Sequence, residues 1–461
     1  MSIDRRDFLK IAGAHAGLLA TGACALPAAG GRPAPAAGAP AIGGNSPDVV
    51  VIGAGAFGGW TALHLQQMGA RVTLVDAWGP GNSRSTSGDE TRGVRTSYGD
   101  REHGELWMRW AYDAIDRWKR WDAEWHGALA PQLFFQSGDL IMRADWERFS
   151  NTTRELWQKV GVPHQVLPVN EVQYRWPVIR LEDIGAVLYE PGAGVVRARR
   201  ACQAVAEAFQ RGGGTITVAR AQTSLATNGS VSELMLSNGD TLRAGTYVYA
   251  CGPWMGKLFP NLLGQRMRTP MGNVYYFATP PGDHRFAHPN IPSYNFPGIT
   301  GWPTLPVDNR GFRVRTGGGG LQDPDLSDRW IPAERHERPR NFLAQRFPDL
   351  KDTPIMETRA CHYELSISRN FIIDRHPDLS NVWLAGGGSA EGFKFGPVVG
   401  DYVAKRVLGE EGDLEIAAQF RIPEETYDPP PPPEPPIPAG AGAGTAADTS
   451  SSRRRRPPEA W

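Results

Sequence analysis

Cysteine is scarce in this chain: four residues in 461, Cys24, Cys202, Cys251 and Cys361. They lie far apart and none forms a C-x-x-C pair, which excludes a disulfide framework and a cysteine zinc site. The ten histidines form no recognisable ligand pair, which argues against haem or metal chemistry. An excess of charge of one sign is lacking too. Basic and acidic residues number 49 each, so no overall field draws the protein to nucleic acid or an anionic membrane. The apolar stretch near the N-terminus is too short and too rich in Ala and Gly for a membrane span. There is no internal repeat. The length suffices for two packed cores.

The termini are of a different composition from the body. SIDRRDFLKIAGAHAGLLATGACALPAAG has a basic start, an apolar stretch of small residues and an Ala-rich exit, which predicts a secretory signal. Arg5 and Arg6 followed by Phe8 and Leu9 look like a twin-arginine signal. That route exports folded proteins, which suits one that acquires a cofactor first, and a periplasmic or exported location is expected. Cleavage is expected after Ala25 or near Ala29. Cys24 sits in TGAC, a poor lipoprotein box, and lipid anchoring there is a minor alternative. Signal and Ala/Gly/Pro linker together span 1–46, and residues 427–461 form a Pro/Gly/Arg tail unable to bury a core. Arg453 to Arg456 in that tail are expected to be solvated.

One dense motif lies between them. In DVVVIGAGAFGGWTALHLQQMGARVTLVDAW, residues 48–78, Val49 to Ile52 predict a buried parallel strand, and Gly53, Gly55 and Gly58 form G-x-G-x-x-G straight after it. Residues 57–68 carry helical spacing with Ala62 and Leu65 inward, and Arg71 to Val75 predict a second strand closed by Asp76. Gly53 allows the tight turn, Gly55 lets the backbone approach a pyrophosphate, and Gly58 permits close packing of helix on strand. The helix N-terminus offers N–H groups and a positive dipole to the phosphates. Asp76, eighteen residues after Gly58, is placed to accept hydrogen bonds from ribose hydroxyls.

NAD and FAD share this fingerprint. A continuous NAD domain would go on into another amphipathic helix; here GPGNSRSTSGDETRGVRTSYGD, residues 79–100, is rich in loop-forming residues. A helix over about 102–125 follows, with Leu106, Trp110, Trp118, Trp121 and Trp125 as a core stripe. GDTLRAGTYVYACGPWM (239–255) predicts a strand ending in a tight turn, and NVWLAGGGSAEGFKFGPVVGDYVAKRVL (381–408) a strand, a glycine turn and a helix from near Gly392. A nucleotide domain assembled from the start, middle and end of a chain favours FAD. Cys361, in ETRACHYELSISRNFIID, stays open at this point between core packing, metal ligand, nucleophile and attachment point.

These stretches together resemble the D-amino-acid-oxidase-type FAD proteins, and most closely the branch of monomeric sarcosine oxidase and N-methyltryptophan oxidase. The likeness covers nearly all of 48–420 and is most specific in GDETRGVRTSYGD, in CHY ten residues before FIIDRHPDLSNVWLAGG, and in EGFKFGPVVGD. It implies an α/β fold: a discontinuous, GR2-type Rossmann-like FAD domain (47–130, 186–262, 356–426) and an α+β substrate domain with a mainly antiparallel sheet (131–185, 263–355). It implies FAD bound through Gly53, Gly55, Gly58, Asp76, Ser87, Thr91, Arg92, Cys251, Gly252, Trp254, Gly387, Gly388, Gly392, Phe393 and Lys394. It further implies a covalent bond from Cys361 to the flavin 8α-methyl carbon. A thiolate suits that attack, and a nearby cation would lower the thiol's pKa. Arg92 matches an arginine beside the flavin ring, and Arg95 and Lys394 match two cations that hold the substrate carboxylate. Tyr363 matches a tyrosine walling the amine pocket. The implied reaction is oxidation of the C–N bond of a secondary amine or amino acid. A hydride equivalent passes to flavin N5, and the imine then hydrolyses.

The pattern also departs from that branch. Arg313 stands where the oxidases carry a lysine held to promote reaction with oxygen, and the two cations are not interchangeable. Gly317 replaces a histidine, Thr300 a tyrosine, and Glu391 a histidine. A substrate pocket unlike that of sarcosine oxidase is therefore expected, with either oxygen or a respiratory carrier as acceptor. Oxidation of a primary amino acid or 2-hydroxy acid is the alternative on this fold. A non-catalytic assembly role through the Pro-rich tail is disfavoured by Arg95, Tyr363 and Lys394. A monomer is expected.

Overall fold

Four consecutive apolar residues, Val49–Ile52, lie at the heart of a six-stranded sheet, buried on both faces, as a parallel strand with cover on each side requires. The computed structural model describes residues 48–410 and 413–428. The expected signal and linker, Cys24 and the tail from Pro429 lie outside the described residues.

The strand order is Ile372–Arg375, Val382–Gly386, Thr246–Tyr249, Val49–Ile52, Val72–Asp76, Thr215–Val218. All neighbours are parallel except the first pair. Val49 and Val51 face one core with the helices Ala56–Gln67, Gly104–Trp125, Ala198–Arg211 and Gly396–Leu408. Val50 and Ile52 face the other, closed by a small antiparallel sheet through Val231, Leu234 and Leu236. The tryptophan stripe is core: Trp60 meets Trp118 and Trp125, each at a 5.5 Å centroid distance, and Trp107 is buried beside them. The strands and helices expected over 48–78 and 381–408 form within a residue or two of their expected bounds, except that a 3-10 turn over Gly392–Phe395 precedes the last α-helix, which starts at Gly396.

A second, eight-stranded sheet runs Ile355–His362, Met271–Phe277, Phe312–Thr316, Ile299–Trp302, Ser293–Phe296, Asp139–Arg143, Ala186–Glu190, Gln165–Val166. It is antiparallel apart from Ser293–Phe296 against Asp139–Arg143. Ala186–Glu190 and Ile355–His362 pair inside this sheet. The chain therefore changes layer at the ends of these strands, later than segment edges at 186 and 356 suppose. Strand alternation divides the sheet's faces. Tyr275, Phe277, Tyr294, Phe312 and Val314 pack in one apolar cluster with the helix Glu337–Arg346. Tyr276, Arg313, Arg315, Asn295, Asp139 and Cys361 occupy the alternate positions, giving a polar face. Both sheets belong to one compact unit. Among the described residues no helix is long and apolar enough to cross a membrane, and no cluster of side chains is placed to hold a metal ion.

Candidate functional site

The glycine turn is sterically enforced. Gly53 has φ +105°, and a Cβ there would lie 2.3 Å from the Ala250 carbonyl oxygen. A Cβ on Gly58 would lie 1.9 Å from the Gly53 oxygen, so Gly58 serves the contact of helix and turn. The turn opens into a cavity of ≈ 410 Å³. Gly53, Gly55, Asp76, Ser87, Cys251, Gly252, Trp254, Gly388, Gly392 and Phe393 line it. At the N-terminus of the helix Ala56–Gln67, Ser87 Oγ accepts the Ala56 N–H at 2.9 Å. The Asp76 carboxylate accepts from Ala54 N at 2.8 Å and Trp78 N at 2.9 Å, and burial pushes its pKa up. Trp78 and Trp254 lie 5.1 Å apart at that end, and Trp254 Nε1 donates to Asp325. These features fit FAD: a floor with no Cβ for a pyrophosphate, a helix N-terminus facing it, and an acid for ribose hydroxyls.

At another part of the cavity, marked by Thr86, Arg92 and Tyr363, the two sheets meet. Arg92 donates to the Thr86 carbonyl at 2.6 Å, to Cys361 Sγ at 2.9 Å, and to Asp89. Arg313 is 1 % exposed, stacks on Trp302 at 3.7 Å and reaches the same Asp89 oxygen at 3.3 Å. Burial pushes Asp89 up, but Arg92 and Arg313 together outweigh it and hold the carboxyl at about 2. For Cys361 the balance goes the other way. Burial raises the thiol's pKa and Arg92 only partly offsets it, so the expected net lowering by a cation is not what this pocket gives. Thr91 turns away from the cavity; its hydroxyl accepts from Trp302 Nε1 at 2.9 Å and lies 3.1 Å from Tyr276 Oη. Gly387, with φ +71°, turns the chain toward Gly388, whose N–H is held by the buried Glu364 at 3.0 Å.

The two expected carboxylate cations share one polar cluster. Lys394 is 4 % exposed and its Nζ donates to Tyr98 Oη at 2.7 Å. Burial brings its pKa down to about 7, with Arg95 and Arg101 pushing the same way and Glu391 opposing. Arg95 Nε lies 4.0 Å from Asp139 and Arg101 Nη2 3.6 Å from Glu391. Burial raises Glu391, but Arg101, Lys394 and Arg95 together hold it at about 2. Burial also pushes Glu190 up to about 7, where it accepts from Thr96 N and Oγ1.

Of the residues expected at the site, Gly58, Thr91, Arg95, Arg313, Cys361, Gly387 and Lys394 do not line the cavity itself. Arg313 and Cys361 sit behind Arg92. Arg95 and Lys394 belong to the adjoining cluster, and Lys394's only side-chain hydrogen bond among the described residues is to Tyr98. Several residues escaped sequence reasoning. Asp89 and Tyr98 lay within the quoted GDETRGVRTSYGD, and Trp78 follows Asp76 by two positions. Glu364 and Arg315 carried no motif; only the alternation F-R-V-R-T marks Arg315 as sharing a face with Arg313.

The family described as DAO, FAD dependent oxidoreductase, matches residues 48–406. Monomeric sarcosine oxidase of Bacillus sp. (strain NS-129) is 26% identical over 372 residues, 78% of this chain and 92% of that protein. N-methyl-L-tryptophan oxidase of Yersinia pestis (strain Pestoides F) is 24% identical over 377 residues, 80% and 97% respectively. Among solved structures, L-proline dehydrogenase from P. horikoshii shares the fold with a TM-score of 0.69 at 21% identity, covering 82% of this chain and 96% of that one. With its glycine turn, its two sheets and a cavity that fits the cofactor, the chain belongs to the DAO family of FAD-dependent oxidoreductases.

Proposed function

We propose that this oxidoreductase oxidises the C–N bond of a carboxylate-bearing secondary amine or amino acid. The observation that carries the reading is the pair of cations, partly buried Arg95 and buried Lys394, brought from distant parts of the chain into one cluster beside the cofactor cavity. A carboxylate held there fixes the neighbouring carbon, which is the positioning that C–N oxidation needs. Bound FAD supplies the two-electron acceptor. Tyr363 walls the space, and Lys394, in its charged form, binds the carboxylate. The substrate loses two electrons and two protons to become an imine, and water then gives an amine and a carbonyl compound. Cys361, 2.9 Å from the Arg92 guanidinium, is the proposed covalent anchor for the flavin; its raised pKa makes Arg92 necessary for thiolate formation. The twin-arginine signal supports export of the loaded protein.

Two measurements test this. Acid precipitation of the wild type should leave yellow colour in the pellet, and of Cys361→Ala should release it. N-methyl amino acids should bleach the flavin anaerobically. Bleaching by 2-hydroxy acids or primary amino acids alone would overturn the substrate class. One observation favours a respiratory acceptor over oxygen: Arg313, at the position of the oxygen-promoting lysine, is engaged by Asp89 and Trp302. Reoxidation by a quinone faster than by air is the expected result.

A further inference from the structure

The strand Phe312–Thr316 places Arg313 and Arg315 on one face, but their surroundings differ. Arg313 has Asp89. Arg315 has no acid: among the described residues its guanidinium makes no hydrogen bond and no ion pair. It is nonetheless only partly exposed, and the titratable groups that act on it most are Tyr363, Arg313, Cys361 and Arg92. None of these is a carboxylate. A desolvated guanidinium without a counter-ion is unfavourable, and folds keep such a group where a ligand supplies the charge.

The position says which ligand. A Cβ on Gly272 would lie 3.6 Å from Arg315 Nη2 and 3.8 Å from Tyr363 Cε1, so the guanidinium and the tyrosine ring flank the same glycine. Tyr363 lines the cofactor cavity and Arg315 does not, so Arg315 lies beside the tyrosine and outside that lining. Tyr363 also feels Arg369, a partly exposed arginine whose side chain makes no ion pair among the described residues. Arg95, Arg101 and Lys394 share Asp139 and Glu391, and Arg369 also acts on Glu391 without an ion pair to it, whereas Arg315 has neither acid among the groups that act on it most.

Resting on the amine-oxidising reading above, we propose that Arg315, assisted by Arg369, binds a second carboxylate of the substrate, and that the substrate is a dicarboxylic amine or N-substituted amino acid. One carboxylate is held at Arg95 and Lys394, the other at Arg315, with Tyr363 between.

Binding is measured on the flavin-loaded, full-length protein by the visible difference spectrum. The probes are glutarate and its monoamide glutaramate, which match in size and differ by one charge; neither is an amine substrate. Their binding is therefore read even if no N-methyl amino acid is oxidised, a result that would sink the reaction class alone. Wild type should prefer glutarate by about tenfold or more. Arg315→Met should bring the two within about threefold, and Arg315→Lys should keep part of the preference. Should Arg315→Met not hold flavin, Arg369→Gln and Arg315→Lys still decide, each with a reduced preference. Equal binding by the wild type, or an undiminished preference in the variants, would overturn the proposal. A shifted flavin reduction potential with preference unchanged would overturn it as well, since Arg315 would then serve the cofactor. Where oxidation is observed, N-methylglutamate over N-methylglutamine should show the same loss in Arg315→Met, in KM rather than kcat.

Discussion

Asp89→Asn should destabilise the flavin-loaded protein by ~2–5 kcal/mol at neutral pH. The lower figure follows from the carboxyl itself: held at about 2 against an ordinary 3.8, it contributes ~2–3 kcal/mol at ~1.4 kcal/mol per pH unit. The upper figure follows from what is left behind. Arg313, 1 % exposed, has two guanidinium nitrogens with no partner already, and Asp89 is its acid. Removing one partner of a buried pair costs ~3–5 kcal/mol. Because the folded pKa is depressed, the stabilisation is full above about pH 4 and drains as pH falls toward 2. The assay is urea unfolding followed by tryptophan fluorescence, with unchanged m, repeated down the acid range. Asn should lower the midpoint at pH 7 and flatten the acid limb. Asp89 also raises the Cys361 thiol, so wherever that thiol is free its alkylation at pH 7 should quicken in the variant. A loss below ~1 kcal/mol with the acid limb intact would refute the shared-carboxylate account, because both guanidiniums would then have other partners.

Lys394, brought to about 7 by burial, loses its charge as pH rises through neutral, so affinity for a carboxylate ligand should fall over that range. In Lys394→Met the affinity should be weak and its pH profile flatter, as isothermal titration across pH would show. Gly53→Ala should abolish retention of FAD on gel filtration, since its Cβ would meet a carbonyl oxygen at 2.3 Å and φ +105° adds strain; retention of flavin by that variant would mean the turn relaxes.

Much of the nucleotide side is legible in the sequence because its constraints are local. Val49 to Ile52, the three glycines and Asp76 lie within one strand–turn–helix–strand unit, where spacing alone decides geometry. The tryptophan stripe is likewise a matter of helical period. The substrate side is not local. Asp139 lies on a strand of the eight-stranded sheet, Arg101 in the bend before the helix Gly104–Trp125 and Glu391 in the turn before Gly392, and no local spacing links the three. The segment edges at 186 and 356 fail for the same reason. A strand's apolar pattern says that it is paired but not with which sheet. Burial also decides what residue types cannot. Arg92 beside Cys361 suggests a lowered thiol pKa, yet desolvation outweighs the cation. At Asp89 two cations outweigh desolvation.

The charge balance of the polar cluster gives the site a direction in pH. Arg95, Arg101 and Lys394 face Asp139 and Glu391, with Arg143 also acting on Asp139 and Arg369 on Glu391, and the positive charge that changes near 7 is that of Lys394. Glu190, also titrating at about 7, loses its proton over the same range and makes the cluster more negative. A single carboxylate is therefore held well below neutral and poorly above it. Arg315 stands outside this exchange, since none of the cluster's groups is among those that act on it most. As pH rises from 6 to 8 the clamp should weaken while the second site does not. For a ligand with two carboxylates the remaining affinity then comes increasingly from Arg315. The ratio of glutarate to butyrate affinity should accordingly rise with pH in the wild type and stay level in Arg315→Met. A ratio that falls with pH would place both carboxylates at Lys394 and leave Arg315 without its ligand.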